Sequence, residues 1–139
     1  MKYQQARLLI WALFLSLSSL SFGESIEGLW TKESGDVVID VSVTPQGELQ
    51  GRLVKWKNKS WKTDQKNPNK ELRNRSLKGL VVLSGLYKSG EKWEGGTIYD
   101  ASEGKSYKAF VKSEGENTMV VKGFIGVSLI GKATRWTRN

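Results

Sequence analysis

Val37 to Val43 reads Val-Val-Ile-Asp-Val-Ser-Val, with Val37, Ile39, Val41 and Val43 at one parity and Asp40 and Ser42 at the other. Side chains alternate across a strand, so this segment turns an apolar face to a core and a polar face to water. Segments of the same kind recur along the chain. They are rich in Val, Ile, Tyr and Trp and are separated by Gly, Asn and Ser. The spacing predicts eight strands, at 27–32, 36–43, 48–56, 79–87, 92–99, 106–112, 117–124 and 128–137. Turns fall at Thr44-Pro-Gln-Gly47, Ser89-Gly90, Ser102-Glu-Gly104, Ser113-Glu-Gly-Glu-Asn117 and Gly126. No long segment has helical periodicity, and no linker or repeat divides the chain. The expected fold is all-β, an eight-stranded antiparallel up-and-down barrel. Such a barrel leaves no open sheet edge, and its interior holds side chains or one small ligand.

One connection breaks the rhythm. Asp64 to Lys78 (DQKNPNKELRNRSLK) carries five basic and two acidic residues and joins strands 3 and 4. Asn67 and Pro68 read as a helix start, Asn as the cap and Pro at the first helical position, with Glu71 suited to the positive end. A short helical turn over 68–74 is predicted, pinned to the barrel by Leu72 and Leu77. Two readings of this segment stand open. As a lid, with Asp64, Asn67, Pro68 and Leu72 ordering it, it offers Arg73 and Arg75 to an anionic group. As a plug, it pairs Arg73 or Arg75 with Asp64 or Asp100 and seals the barrel end.

Composition narrows the chemistry. Of the 139 residues, the first 23 have the plan of a signal peptide: basic Lys2 and Arg7, the apolar run Leu8 to Leu20, then Ser21-Phe22-Gly23 before a cut. Thirteen apolar and small residues are short for a bilayer, which needs about 20. The expected organisation is therefore a signal peptide, 1–23, and one barrel domain, 24–139, exported to the periplasm or secreted. Loss of Lys2 and Arg7 lowers the formal charge from +8 to +6. The chain has no cysteine and no histidine, which removes disulfides, thiolate metal sites and the commonest general base. No metal, cofactor or catalytic residue is expected. The carboxylates Asp64, Asp100 and Glu103 could in principle make an acid pair, and Asp100 to Glu103 reads as a turn.

Trp56, Trp61, Trp93, Tyr99 and Tyr107, with Arg73 and Arg75, are the candidate ligand-binding residues, because pockets favour aromatics with a few polar groups. The same aromatics also suit a packed core. Lys55, Lys57, Lys59, Lys62, Lys66 and Lys70 form a basic run around Trp61. With an export signal in front, that run suits an acidic envelope polymer or a protein partner better than nucleic acid. The first expectation is a non-enzymatic protein that holds a small apolar or amphipathic ligand in the barrel. The second, of another class, is an interaction module using the basic loop face.

Several stretches taken together resemble a known family. They are Gly28-Leu-Trp30, the Asp64–Lys78 segment, Gly95-Gly-Thr-Ile-Tyr-Asp100 with Gly104-Lys-Ser-Tyr-Lys-Ala109, and Gly123-Phe-Ile-Gly126 with Gly131-Lys-Ala-Thr-Arg-Trp-Thr-Arg138. The pattern resembles the exported bacterial family known as domain of unknown function 2147. The resemblance implies a barrel of the lipocalin or streptavidin kind and carries no activity. Members often have a cysteine where Gln46 to Gly51 stands here, and a proline where Ala101 stands. The Gly-x-Trp at the start also resembles the first motif of lipocalin-like barrels. That implies a closure in which Arg135 or Arg138 lies across Trp30, worth about 0.5–2 kcal/mol.

Overall fold

The computed structural model describes residues 25–125 and 131–139. The predicted signal peptide, the Gly126 turn and the first residues of the predicted last strand lie outside them. Eight strands form: β1 (Gly28–Lys32), β2 (Val38–Val43), β3 (Glu48–Lys55), β4 (Val81–Ser89), β5 (Lys92–Asp100), β6 (Lys105–Ser113), β7 (Thr118–Phe124) and β8 (Gly131–Arg138). Each pairs antiparallel with the next, and β8 pairs back onto β1 to close the barrel. The predicted class and strand order hold. β4 begins two residues later than the pattern suggested, because Gly79 and Leu80 turn back onto β3 and the connection through Gly79 N–H to Leu53 O and Leu80 N–H to Leu77 O.

Alternation places the core. Ile39, Val41, Leu49, Leu83, Leu86, Val111, Met119 and Val121 point inward and are buried, joined by Trp30 and Trp136. Burying large apolar side chains is worth about 1.5–3 kcal/mol each, so this set dominates the stability. Between β4 and β5 the sheet bends sharply. Gly85 and Gly95 adopt left-handed φ, and a Cβ on Gly96 would lie 2.0 Å from Ser84 O. The bend is possible only because β4 backbone passes where a side chain would stand. Glu48 supports it from β3, accepting the Gly85 N–H at 2.7 Å.

Up-and-down topology gives the barrel two unlike ends. One carries the start of β1, the finish of β8 and the β2–β3, β4–β5 and β6–β7 turns. The other carries the long β3–β4 connection, residues 56–80, and the β5–β6 turn. The connection's helical part is a single 3₁₀ turn, Lys70–Leu72. No helix among the described residues is long and apolar enough to cross a membrane.

Candidate functional site

Asp64 organises the long connection. Its carboxylate is buried, at 1% exposure. Oδ2 accepts hydrogen bonds from Arg75 Nε and Asn67 Nδ2, both at 2.8 Å, and lies 2.8 Å from Arg75 Nη2. Oδ1 accepts from the Tyr99 hydroxyl at 2.6 Å. Around this hub the chain forms a small hairpin, with a bridge between Thr63 and Ser76 and a bond from Leu77 N–H to Lys62 O. A buried carboxylate is tolerated only when paired and hydrogen-bonded, and here both oxygens are engaged.

The direction of Tyr99 shows where this hairpin lies. Ile98 faces the interior, within 3.5 Å of the place a Gly123 Cβ would occupy. Tyr99 follows it on β5 and so points outward, and its hydroxyl still reaches Asp64. Val82 and Leu83 are likewise consecutive on β4, and both are buried. Leu83 is inside. The β3–β4 register shifts at Val82, so the two share the buried core cluster with Leu77 of the connection. The segment is thus a strap tied to the rim at Tyr99 and Gly104, with Trp56 and Trp61 packed against the core.

Several expectations are corrected here. Asn67 is not the helix cap. Asn69 caps the 3₁₀ turn, accepting from Glu71 N–H, while Asn67 is buried, donating to Asp64 and accepting from Asn69 N–H at 2.8 Å. Pro68 accordingly precedes the cap, and the turn spans Lys70–Leu72 instead of 68–74. Leu72 is 38% exposed and pins nothing; Leu77 is the apolar anchor. Arg75 does not offer a free fork to an anion, while Arg73 is engaged, among the described residues, only through Nε. Arg75 binds Asp64 and stacks on Tyr99, 5.6 Å from the ring centre, and Arg73 Nε donates to Asn67 O at 2.7 Å. Of the plug pairings only Arg75 with Asp64 forms. Asp100 instead accepts Ser102 N–H within its own turn.

The candidate aromatics do not converge on one cavity. Trp56 donates to Trp61 O at 2.7 Å, and Lys66 lies 4.6 Å over the Trp61 ring, so both tryptophans serve the connection. Trp93 starts β5 at the opposite end, under Lys88. Tyr107 stands at the mouth, donating to Glu103 at 2.7 Å. With Ile98 and Gly123 it forms the half-buried inward face there.

Tyr99 is pushed up to about 12, first by burial and then by its bond to the Asp64 carboxylate. Tyr107 is raised too, chiefly by its bond to Glu103. Tyr99 in the unfolded chain ionises near 10, so its contribution to stability is complete below that pH and is lost as pH rises toward 12. Ultraviolet titration of phenolate should show a last-ionising tyrosine that Tyr99→Phe removes. Co-ionisation of every tyrosine near the ordinary value would contradict this.

At the other end Arg138 lies over Trp30, 4.3 Å from the ring centre. Its three guanidinium nitrogens donate to Glu116 O, Glu27 O and Ser25 O at 3.0, 2.6 and 2.8 Å. Trp30 Nε1 donates to Ile26 O at 2.8 Å. The planar fork thus ties the incoming chain, the β6–β7 turn and the buried indole together. Arg135 takes no part; it points outward and pairs with Glu114. A lysine in place of Arg138 has one nitrogen for three carbonyls. Arg138→Lys should cost about 1–2 kcal/mol and red-shift Trp30 fluorescence, read by chemical unfolding and emission spectra.

The family described as "Uncharacterized protein conserved in bacteria (DUF2147)" matches residues 28–138, from the first residue of β1 to the last of β8. The chain belongs to this family. Among solved structures, the chain is similar to protein HP1028 from Helicobacter pylori, described as belonging to the lipocalin family. It is 25% identical with a TM-score of 0.72, covering 83% of each chain. The fold of this DUF2147 member is thus lipocalin-like. No curated protein matches the chain.

The residues that sequence reading passed over lie in two places. Gly104, in the β5–β6 turn, is buried where the strap crosses it; a Cβ there would lie 1.9 Å from Lys66 O. Phe110 and Phe124 form a tilted pair on the outer wall, ring centres 6.5 Å apart. The alternation in Lys105–Ser113 (KSYKAFVKS) carried that second signal, since buried Ala109 and Val111 force Lys108, Phe110 and Lys112 outward.

Proposed function

We propose that this DUF2147 protein is an exported, non-enzymatic binding protein that takes a small apolar or amphipathic molecule at the strapped mouth of its barrel. The observation that supports it is the change in burial along the inward face. Val111, Val121 and Met119 are fully enclosed, whereas Ile98, Tyr107 and Gly123, on the same face, are half-open. Gly123 adds no bulk beneath Tyr107, and Tyr107 supplies a hydroxyl beside Glu103. An apolar floor with a few polar groups at its edge, here the Tyr107 hydroxyl and the Glu103–Lys132 pair, is the composition of a small-ligand site. The lipocalin-like fold agrees with a binding role.

Native mass spectrometry of the protein purified from its host envelope tests the reading. A defined extra mass, lost on organic extraction and lost in Tyr107→Trp, which fills the opening, is the expected result. A clean apo mass, together with no quenching of Trp fluorescence by fatty acids or other small amphiphiles, would overturn it.

A further inference from the structure

The outer wall of β6, β7 and β8 carries no aspartate or glutamate in any of its strand residues. Lysines and phenyl rings interleave on it in register. Lys108 is paired with Phe124, Phe110 with Lys122, and Lys112 with Lys92 of β5. Lys92 and Lys122 lie 4.8 and 6.0 Å from the centre of the Phe110 ring. None of these four lysines makes an ion pair among the described residues. Like charges placed directly opposite across a sheet, as Lys92 and Lys112 are, weaken the pairing. The contact of Lys92 with the Phe110 ring offsets part of that repulsion, and an anionic partner would relieve the rest.

The wall also has an apolar component that a purely ionic contact does not need. Phe110 and Phe124 are half-exposed, and Ile125 beside them is 68% exposed. Between Thr97, Lys108 and Phe124 runs a groove of about 270 Å³ floored by Gly95, Gly96 and Ala109. That is just below the volume of pockets for drug-sized ligands, roughly 300–1,000 Å³, and suits a headgroup more than an enclosed cargo. Aromatic rings ringed by lysines are the composition of a surface that lies in the headgroup layer, rings toward the acyl boundary and ammonium groups on phosphates.

We infer that the outer wall of β6 and β7 docks the barrel on an anionic phospholipid bilayer through Lys108, Lys122, Phe110 and Phe124. This face is distinct from the barrel mouth and from the lysine-rich strap. It leaves both free, so a docked barrel presents its mouth beside the lipid surface.

The test uses a chain beginning at Glu24, which keeps every strand of the closed barrel and the Ser25–Glu27 segment that closes its end, but lacks the apolar run Leu8 to Leu20. Co-sedimentation with phosphatidylglycerol-containing vesicles is compared with phosphatidylcholine vesicles. Binding should be confined to the anionic vesicles and weaken as salt rises. Lys108→Glu with Lys122→Glu should reduce it at least about tenfold, since each surface lysine contributes roughly fivefold. Phe124→Ser should reduce it as well, with circular dichroism unchanged, and Lys57→Glu with Lys59→Glu on the strap should not. Absence of binding to anionic vesicles overturns the inference. So does loss confined to the strap variants. Binding that tolerates Phe124→Ser and is matched by polyglutamate would also overturn it, in favour of an acidic polymer.

Discussion

Asp64→Asn should lower the stability of the barrel by about 3 kcal/mol, more than any other side-chain replacement in the connection. Four donors converge on this carboxylate: two nitrogens of Arg75, the Asn67 amide and the Tyr99 hydroxyl. An amide in its place keeps one acceptor oxygen and turns an N–H₂ group toward donors that have nothing to accept it. The lost charge also leaves Arg75 without its counter-ion. Removing one partner of a buried ion pair costs about 3–5 kcal/mol. The lower figure applies because the Arg75 side chain is 36% exposed and can turn to water. Chemical unfolding should show a lower midpoint with an unchanged slope, and the thermal midpoint should fall by about 10 °C. A double-mutant cycle with Arg75→Met separates the pair from the tyrosine and asparagine contacts. A change below about 0.5 kcal/mol, the range of an unremarkable surface substitution, would mean the strap does not depend on its hub.

This hub accounts for two of the seven charges in the Asp64–Lys78 stretch, Asp64 and Arg75. Asp64 is enclosed, and its charge is tolerable only because Arg75 lies eleven residues on, brought back by the Thr63–Ser76 bridge. The spacing is set by the hairpin. Sequence reading found the pair as one of four combinations and had no means to choose among them, because the choice is made by tertiary contact with Tyr99 on β5. The same limit explains the misplaced cap. Asn67-Pro68 and Asn69-Lys70 are both local cap candidates, and local preference favoured the first. Burial of Asn67 fixes its amide nitrogen on Asp64 and its oxygen on the Asn69 N–H, so the cap of the 3₁₀ turn passes to Asn69.

Strands were legible because one rule governs them. Val38–Val43 and Thr118–Phe124 each alternate against the same interior, and the turns between strands carry Gly or Asn where the chain reverses. Closure at Trp30 rested on a resemblance that left Arg135 and Arg138 equal. Strand parity separates them only once Trp136 is known to face inward between them: Arg135 then points out to Glu114, while Arg138 at the strand's end bends over the indole. The aromatics failed as a set for a related reason. Composition places Trp56, Trp93 and Tyr107 in strands without saying which end of the barrel each reaches. That depends on strand direction, and it separates Trp93 from the others. What remains at the mouth is smaller than the sequence suggested: Ile98, Tyr107 and Gly123, with the strap seated on the β5–β6 turn as a buttress of the rim.

The seating of that buttress rests on one glycine, and Gly104→Ala should be the second severe change. Gly104 has φ +68°, and its backbone is covered so closely that a Cβ would lie 1.9 Å from Lys66 O and 2.8 Å from Lys66 C. Two penalties therefore coincide, left-handed strain and collision with a backbone that cannot rotate away. Gly115, in the β6–β7 turn, isolates the first. Its φ is +80° and nothing lies within 4 Å of the same position. Gly115→Ala should cost about 1 kcal/mol, the usual penalty for a left-handed non-glycine residue. Gly104→Ala should cost about 3 kcal/mol or more, because overpacking adds about 1–3 kcal/mol where neighbours are free to move and here the neighbour is main chain. The strap should also lift. Amide protons of Asp64, Asn67 and Leu77, which bond within the strap hairpin, should exchange faster in Gly104→Ala and not in Gly115→Ala. Equal penalties for the two alanines would mean the connection does not rest on the β5–β6 turn. The larger penalty together with unchanged amide exchange would place the strain in the turn alone. The combination of both effects is what a rigid, docked strap requires.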